Sequence, residues 1–558
     1  MEGDLGLTSS GPAHEPPDTA LADALPREVD VLVAGSGAAG LTAALTAATS
    51  GLSVLLIESA GRWGGTSAIS GGRVWLPPGA GTNDSRDAAI EYLAAVFGSD
   101  HMTMIEAFVE GARPMARFVE SHCRHRFVPC PNYPDYHPHL PGWSPGGRPH
   151  DAAPIDLNDL VAEASDVLLP PGYLPITHAE WEQWRYPSRF EWDLIEERRR
   201  GRNLTNGASL VASLVDGAIC AGAKLTKGVA LLDVVPGASP IRARVSGDET
   251  ETTISAGALI LATGGFDAHP DMVASFLPRA LSATAAAPTN TGVALRLALD
   301  SGLAVDNLSE GWWMPVVMVP DEEIAGSPYP RALVRERGVP HQIVVNRAGA
   351  RFVDEATPYH EFVKAMHLEV DGLLPNREAW LVFDGQFRTK YSFPGLAATG
   401  APPAHVETDT AVEGLAARVG IEPAALAATI DRWNGICGSG RDPDFGRGEN
   451  SYDRYYGDPR LEQSPNLGTI EQPPFYAAPI MSGSVGSKGG PVTTEDGQVV
   501  DTEGRPRPGW YAVGNASAFW TGDGYPGPGA TLGIGMTFGH RAAIDAIRFV
   551  KSKAIPLS

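Results

Sequence analysis

An apolar run, Val31-Leu32-Val33-Ala34, leads into Gly35-Ser36-Gly37-Ala38-Ala39-Gly40 and then into an alanine-rich stretch from Leu41 to Thr49. The apolar run suits a strand buried in a parallel sheet, and the alanine-rich stretch can continue as a helix. Each glycine between them has its own task. Gly35 makes the tight turn, Gly37 lets the backbone approach a pyrophosphate, and Gly40 lets the helix pack closely. The helix N-terminus then offers unpaired N–H groups and a positive dipole end to the phosphates. A second apolar run, Val54-Leu55-Leu56-Ile57, ends in Glu58, 18 residues after Gly40, which places an acid where a ribose hydroxyl is bound. The chain is therefore expected to open on a dinucleotide-binding α/β unit. The stretch from Val31 to Ala48 is long enough to raise the question of a membrane helix, but Gly35, Ser36, Gly37 and Gly40 interrupt it. No transmembrane segment is expected.

Gly61-Arg-Trp-Gly64-Gly65-Thr66-Ser67-Ala-Ile-Ser70-Gly71-Gly72 resembles the segment that, in glutathione-reductase-like flavoproteins, passes from the ribose-binding acid to the flavin. Ala262-Thr263-Gly264-Gly265, after the apolar Ala258-Leu-Ile-Leu261, and Trp510-Tyr-Ala-Val513-Gly514-Asn515 belong to the same resemblance. It implies FAD as cofactor, with Ser59, Gly529, Ala530 and Leu532 added to the candidate contacts. The implied fold class is α/β: a glutathione-reductase-like Rossmann FAD-binding domain, discontinuous in sequence, with an inserted α+β catalytic domain. No other GxGxxG follows an apolar strand, so a separate NAD(P)H site is not expected.

Near the C-terminus, Tyr525-Pro526-Gly527-Pro528-Gly529-Ala530-Thr531 is similar to a signature of the 3-ketosteroid dehydrogenases within the fumarate-reductase-like flavoproteins. The resemblance spans about residues 30 to 546, leaving out much of 151 to 200. Removing a hydride from a saturated carbon requires the neighbouring C–H to lose a proton, which is acidic only where an adjacent carbonyl becomes enolate-like. Tyr525 can donate its phenolic O–H to that oxygen, and Gly529, without a side chain, can bring up its backbone N–H. Such preorganised donors are worth roughly 3 to 4 kcal/mol each. The resemblance gives both the role of binding the keto oxygen. In Asp354-Glu355-Ala-Thr-Pro358-Tyr359-His360-Glu361 it makes Tyr359 the general base, and in Tyr133-Pro134-Asp135-Tyr136-His137-Pro138 it makes Tyr136 the tyrosine that assists. A phenol of pKa about 10 is mostly protonated at pH 7, so Tyr359 needs such help.

Lys488 is open to two readings, stabilising reduced flavin or holding structure. His137, His139 and His150 lack the partners and spacing of a metal site, and no metal is expected. Tyr173 to Arg200, with Trp181, Trp184 and Trp192, departs from the family pattern and bears on the shape of the substrate cavity. Lys and Arg total 43 against 66 Asp and Glu, a net charge of −23, which argues against nucleic acid as a partner. Four cysteines without a CxxC pair fit a reducing, cytoplasmic setting. The expected organisation is a disordered leader (1–28), a first FAD-binding segment (29–310), a catalytic domain (311–472) and a second FAD-binding segment (473–558). The expected activity is FAD-dependent α,β-desaturation of a small hydrophobic cyclic ketone, foremost 1,2-desaturation of a 3-ketosteroid, with a quinone, dye or oxygen as external electron acceptor. A smaller cyclohexanone-type substrate, an ene reductase of the fumarate or urocanate type, and a non-catalytic flavin-binding protein stay open.

Overall fold

The strand Glu28–Ala34 bonds to parallel neighbours on both edges, Thr250–Leu261 and Val54–Glu58. Lys224–Lys227 continues the parallel sheet beyond Val54–Glu58, and Pro506–Ala512 continues it beyond Thr250–Leu261. Val31, Leu32 and Val33 are fully buried, as a strand covered on both faces requires. The computed structural model describes residues 25–79, 84–235, 239–247, 250–461 and 464–554.

One face of this sheet is covered by the helix Ala38–Thr49, against which the helices Asn206–Cys220 and Ala530–Ala554 pack. The fit is close: a Cβ on Gly539 would stand 2.4 Å from the Ala39 carbonyl oxygen. The other face is covered by the antiparallel strands Ala230–Val234 and Ile241–Gly247 and by Ala294, Leu297 and Ala298 of the helix Val293–Asp300. Ala34 pairs with Leu261 and with Ile57, and Leu261 pairs with Ala512, so the carboxyl ends of the strands share one edge. The chain moves outward from Glu28–Ala34 on one side, then returns to its other side with Thr250–Leu261. Ligands of open parallel sheets bind outside the carboxyl ends at such a reversal.

A second sheet runs in the order Ser327–Ala332, Gly311–Ile324, Phe475–Ser487, Ala379–Asp384, Gln342–Asn346, with short strands Ala283–Thr284 and Glu407–Asp409 also on Phe475–Ser487. The strands of this sheet come from both sides of the expected borders at 310/311 and 472/473. Phe475–Ser487 is the middle strand of the sheet built by 311–472, because its alternate edges bond to Gly311–Ile324 and Ala379–Asp384, and Ala283–Thr284 joins from before residue 311. The expected leader, 1–28, is corrected at its end: Leu25 is buried in the first sheet's core and the strand begins at Glu28, while residues 1–24 lie outside those described. The proline-containing stretch around Tyr133 to Pro138 is bracketed by short strands at Phe127–Pro129 and Pro149–Ala152 that pair with each other, the second also with Val74–Trp75. The charged run at 196–200 forms the end of the helix Trp192–Arg200, with Arg200 paired to Glu196. Among the described residues no helix is long and apolar enough to cross a membrane.

Candidate active site

A cavity of about 800 Å³ opens at the shared carboxyl edge. Its wall takes Gly35 from the first turn, Glu58 and Ser59 from the second strand end, Ala262, Thr263 and Gly264 from the third, and Gly514 and Asn515 from the fourth. Gly35 has φ +106, and a Cβ on it would lie 2.3 Å from the Ala262 carbonyl oxygen, so no other residue fits. Gly37 and Ala39 from the first helix line the wall, as do Gly65, Thr66, Ser67, Ser70, Gly71 and Gly72. Gly529 and Leu532, at the start of the C-terminal helix, complete it.

Five expected contacts stand behind this wall: Ser36, Ala38, Gly40, Gly64 and Ala530 are absent from the lining. Ser36 donates its N–H (2.9 Å) and hydroxyl (2.6 Å) to Glu58 and accepts from the Gly64 N–H at 2.9 Å. Ala38 donates its N–H to Ser67 Oγ at 3.0 Å. A Cβ on Gly40 would lie 2.1 Å from the Gly35 carbonyl oxygen, which is the helix-packing task expected of it. These residues hold the wall in place.

Tyr136, Tyr359 and Tyr525 come from elements far apart in sequence and form a triangle of buried rings. Their centroids lie 5.3 Å (Tyr136–Tyr359), 5.2 Å (Tyr136–Tyr525) and 5.5 Å (Tyr359–Tyr525) apart, all in edge contacts. Tyr359 and Tyr525 reach the cavity, with Tyr136 behind them. Burial pushes the Tyr359 phenol well above its usual pKa, Tyr525 and Tyr133 push it further, and Tyr136 draws it down. The Tyr136 hydroxyl is buried and makes no well-aligned hydrogen bond. Tyr525 is raised by burial and lowered by Thr531, whose hydroxyl is 3.3 Å away, then by Tyr359 and by the charge of Arg73. Gly529 has φ +90 and directly precedes the 25-residue helix Ala530–Ala554, so it sits at the positive end of a helix dipole. A Cβ there would lie 2.6 Å from the Arg73 carbonyl oxygen.

The backbone around Tyr525 is pinned from many sides. Lys488 donates to the carbonyls of Gly522 and Gly524, each at 2.7 Å, and His360 Nε2 to that of Asp523 at 2.7 Å. His137 Nε2 donates to the Tyr525 carbonyl at 3.0 Å, and Tyr92 (2.5 Å) and the Tyr136 N–H (3.0 Å) donate to that of Pro526. Burial holds His137 down at about 4 and Lys488 at about 7. Asp135 accepts from Trp75 Nε1 at 2.7 Å and from Arg148 at 2.6 Å. Neither Asp135 nor His137 bonds the Tyr136 hydroxyl; both fix the loops that carry the tyrosines. Lys488 is off the cavity wall, which selects the structural one of its two readings. His150 bonds Arg113 and the Arg148 carbonyl, away from His137, and among the described residues no cluster of three metal-ligating side chains forms.

A family model described as an FAD binding domain matches residues 30–532. The 3-oxosteroid 1-dehydrogenase of Mycolicibacterium smegmatis is 35% identical over 564 residues, covering 93% of this chain and 97% of that one. The chain belongs to the 3-ketosteroid dehydrogenase family of FAD-binding flavoproteins. Within that family the 4-oxocyclohexanecarboxylate 2-dehydrogenase of Sinomonas cyclohexanicum is 36% identical, covering 92% of each chain. The crystal structure of 3-ketosteroid Δ1-dehydrogenase from Sterolibacterium denitrificans with 1,4-androstadiene-3,17-dione superposes with TM-score 0.87 at 32% identity, over 94% of this chain and 100% of that one. The protein is an FAD-dependent oxidoreductase acting on CH–CH groups, and its fold is the mixed α/β fold of these flavoproteins.

FAD fits the wall on the structure's own terms. The glycine-lined approaches at Gly35, Gly264 and Gly514 leave no room for side chains or have positive φ, and the buried Thr263 hydroxyl on the wall has no partner. Arg73, Tyr133, His178, Trp181, Phe190, Arg335 and Tyr456 also face the cavity, and the sequence assigns no role to Arg73, Tyr133, Arg335 or Tyr456. Tyr133 and Tyr456 share a short hydroxyl–hydroxyl bond, and the Tyr133 ring stacks on His178 at 4.8 Å. His178, Trp181 and Phe190 come from the stretch that departs from the family pattern. The only local signal for Arg73 is its place as a lone arginine directly after Gly71-Gly72.

Proposed function

We propose that the protein desaturates a cyclic ketone beside its carbonyl. The observation that carries this is Tyr359, Tyr525 and Gly529 on one cavity wall, with Tyr136 directly behind. Tyr525 O–H and Gly529 N–H polarise the ketone oxygen, which acidifies the α C–H. Tyr359, as the phenolate that Tyr136 stabilises, takes the α proton onto its oxygen and becomes the neutral phenol, while the negative charge passes to the ketone oxygen held by Tyr525 and Gly529. FAD, held by the carboxyl edge of the parallel sheet, supplies the two-electron acceptor for the hydride that leaves the β carbon. We read the parallel sheet as a glutathione-reductase-like Rossmann unit and the sheet around Phe475–Ser487 as the inserted catalytic domain.

The 3-ketosteroid reading, with desaturation between C1 and C2, is supported by the likeness to the Sterolibacterium enzyme. The single-ring reading is supported by the lining. Trp181 and Phe190 occupy the wall, and about 800 Å³ has to serve both a dinucleotide and the ketone, whereas roughly 300–1,000 Å³ usually serves one drug-sized ligand. We place the cyclohexanone-type ketone first. Reduction of an unsaturated acid is favoured only by the two arginines on the wall, Arg73 and Arg335.

Anaerobic titration of the FAD-loaded enzyme with 4-androstene-3,17-dione and with a substituted cyclohexanone tests this reading: a ketone substrate bleaches the flavin. Absence of bleaching with both, together with reoxidation of reduced enzyme by fumarate, selects the reductase instead. Tyr525→Phe, which removes one oxyanion donor, is expected to lower kcat by roughly 10² to 10³ with FAD content unchanged. Loss of FAD in that variant would place Tyr525 in cofactor binding.

A further inference from the structure

Arg73 stands on the cavity wall without a carboxylate to pair with. Its backbone is wedged against Gly529, so the side chain is rooted beside the proposed oxyanion donors, and its charge reaches Tyr525. The guanidinium carbon lies 5.6 Å from the centre of the Tyr133 ring, and Nη2 lies 2.6 Å from His178 Nδ1. Nε is buried and has no partner. His178 cannot supply the missing negative charge. Burial and the neighbouring Arg73 and Arg185 keep it neutral, its Nδ1 accepts from Arg73, and its Nε2–H is directed at the Tyr455 hydroxyl at 2.6 Å. Asp151 raises the Arg73 pKa without forming an ion pair with it; one of its oxygens accepts from the His178 N–H at 2.5 Å, and the other is buried without a partner.

The carboxylates on the wall are already engaged. Glu58 accepts from Ser36 and Ala60, and Glu336 accepts from the Val334 N–H. A second guanidinium, Arg335, faces the same space. It lies 4.8 Å over the Trp181 ring and donates to the Arg185 carbonyl and Ser392, again with no carboxylate in ion-pair range. Arg73 keeps its charge in spite of burial, because Tyr133 and Asp151 raise its pKa, yet among the described residues no carboxylate lies within ion-pair distance of it. A ligand carboxylate supplies parallel charge-assisted bonds in the geometry a guanidinium presents.

We propose that the ketone taken by this site carries a carboxylate on its ring, and that Arg73 is the specificity-determining residue that binds it, with Arg335 adding positive potential. The proposal rests on the desaturase reading above and narrows its substrate class. A neutral steroid would leave Arg73 unpaired. A single ring with a keto group at one end and a carboxylate at the other satisfies Tyr525 and Gly529 as well as the arginine.

The test uses FAD-loaded enzyme, a dye acceptor and two probes of equal ring size, 4-oxocyclohexanecarboxylate and 4-methylcyclohexanone, with 4-androstene-3,17-dione as a third. The ratio of kcat/KM for the carboxylate to that for its neutral counterpart is expected to exceed roughly 10 to 100, the range of a hydrogen bond to a charged group. Arg73→Met is expected to bring the ratio close to one, mainly through KM, and Arg73→Lys to retain some of it. A ratio that stays the same in Arg73→Met overturns the proposal even if that variant is slower overall, and so does loss of FAD, which would assign Arg73 to the cofactor. If both cyclohexanones and the steroid bleach the flavin but the wild-type ratio is near one, the proposal fails while the desaturase reading stands. If no ketone bleaches it, the desaturase reading fails first.

Discussion

Tyr359 is buried, which opposes the ionisation that a base requires. Its phenol is held well above the usual value by burial first, then by Tyr525 and Tyr133, and only Tyr136 acts in the useful direction. The reactive phenolate is therefore a small fraction at neutral pH, and that fraction grows about tenfold for each pH unit below the pKa. The rate of flavin reduction, measured by stopped flow at saturating ketone, is expected to climb with slope near one between about pH 7 and 9 without a plateau. In Tyr136→Phe the one neighbour that lowers Tyr359 is gone, so the rate at a given pH falls, by roughly 10² or more if it acts as a full partner in proton transfer, and the profile moves to higher pH. A flat profile, or one unchanged by Tyr136→Phe, would remove Tyr359 as the base.

Tyr525 works only if the loop from Thr521 to Pro526 keeps its shape, and that loop has little regular structure of its own. Its carbonyls are held by side chains from four other regions of the chain, and Lys488 takes two of them from a fully buried position 4.0 Å over the Trp312 ring. Lys488→Met leaves the Gly522 and Gly524 carbonyls without that donor. We expect at least a tenfold loss of kcat, because small misplacements of a positioned group are costly, with FAD content and visible spectrum unchanged. A shifted flavin spectrum would instead return Lys488 to the cofactor. The glycine turn at Gly35 and the Tyr525–Thr531 signature were legible in the sequence because close backbone approach dictates residue type within a few positions. The pairing of Arg73 with His178 spans 105 residues and that of Tyr133 with Tyr456 spans 323, so both depend on tertiary packing that no local pattern carries. The same reason hid the place of Phe475–Ser487: its apolar pattern announces a buried strand but does not say which sheet receives it.

In the whole molecule, the cavity wall joins segments that are otherwise remote: Gly35 to Arg73, Ala262 to Val293, and Val513 to Gly535. The first and last of these already meet where the C-terminal helix packs on the helix after the glycine turn, yet glycines with positive φ and an unpartnered threonine hydroxyl face the space between them. FAD bound in this space would bridge the two ends of the chain as well as serve as the oxidant. A ligand that binds only the folded state stabilises it by about 2.7 kcal/mol at a hundredfold excess over its Kd. Stripping FAD is therefore expected to lower the thermal midpoint and to speed amide hydrogen exchange in all three wall segments together. The helix Pro423–Ser439 and the strand Gln342–Asn346 pack together at the second sheet and do not line the cavity; their exchange should change little. Faster exchange confined to residues 35–73 would mean that the C-terminal return is held by its own packing and that the cofactor contributes only to the glycine turn. A general rise that includes Gln342–Asn346 would mean that the two sheets unfold as one unit. Only the three-segment pattern fits a cofactor that ties the chain's ends together while the second sheet stands by itself.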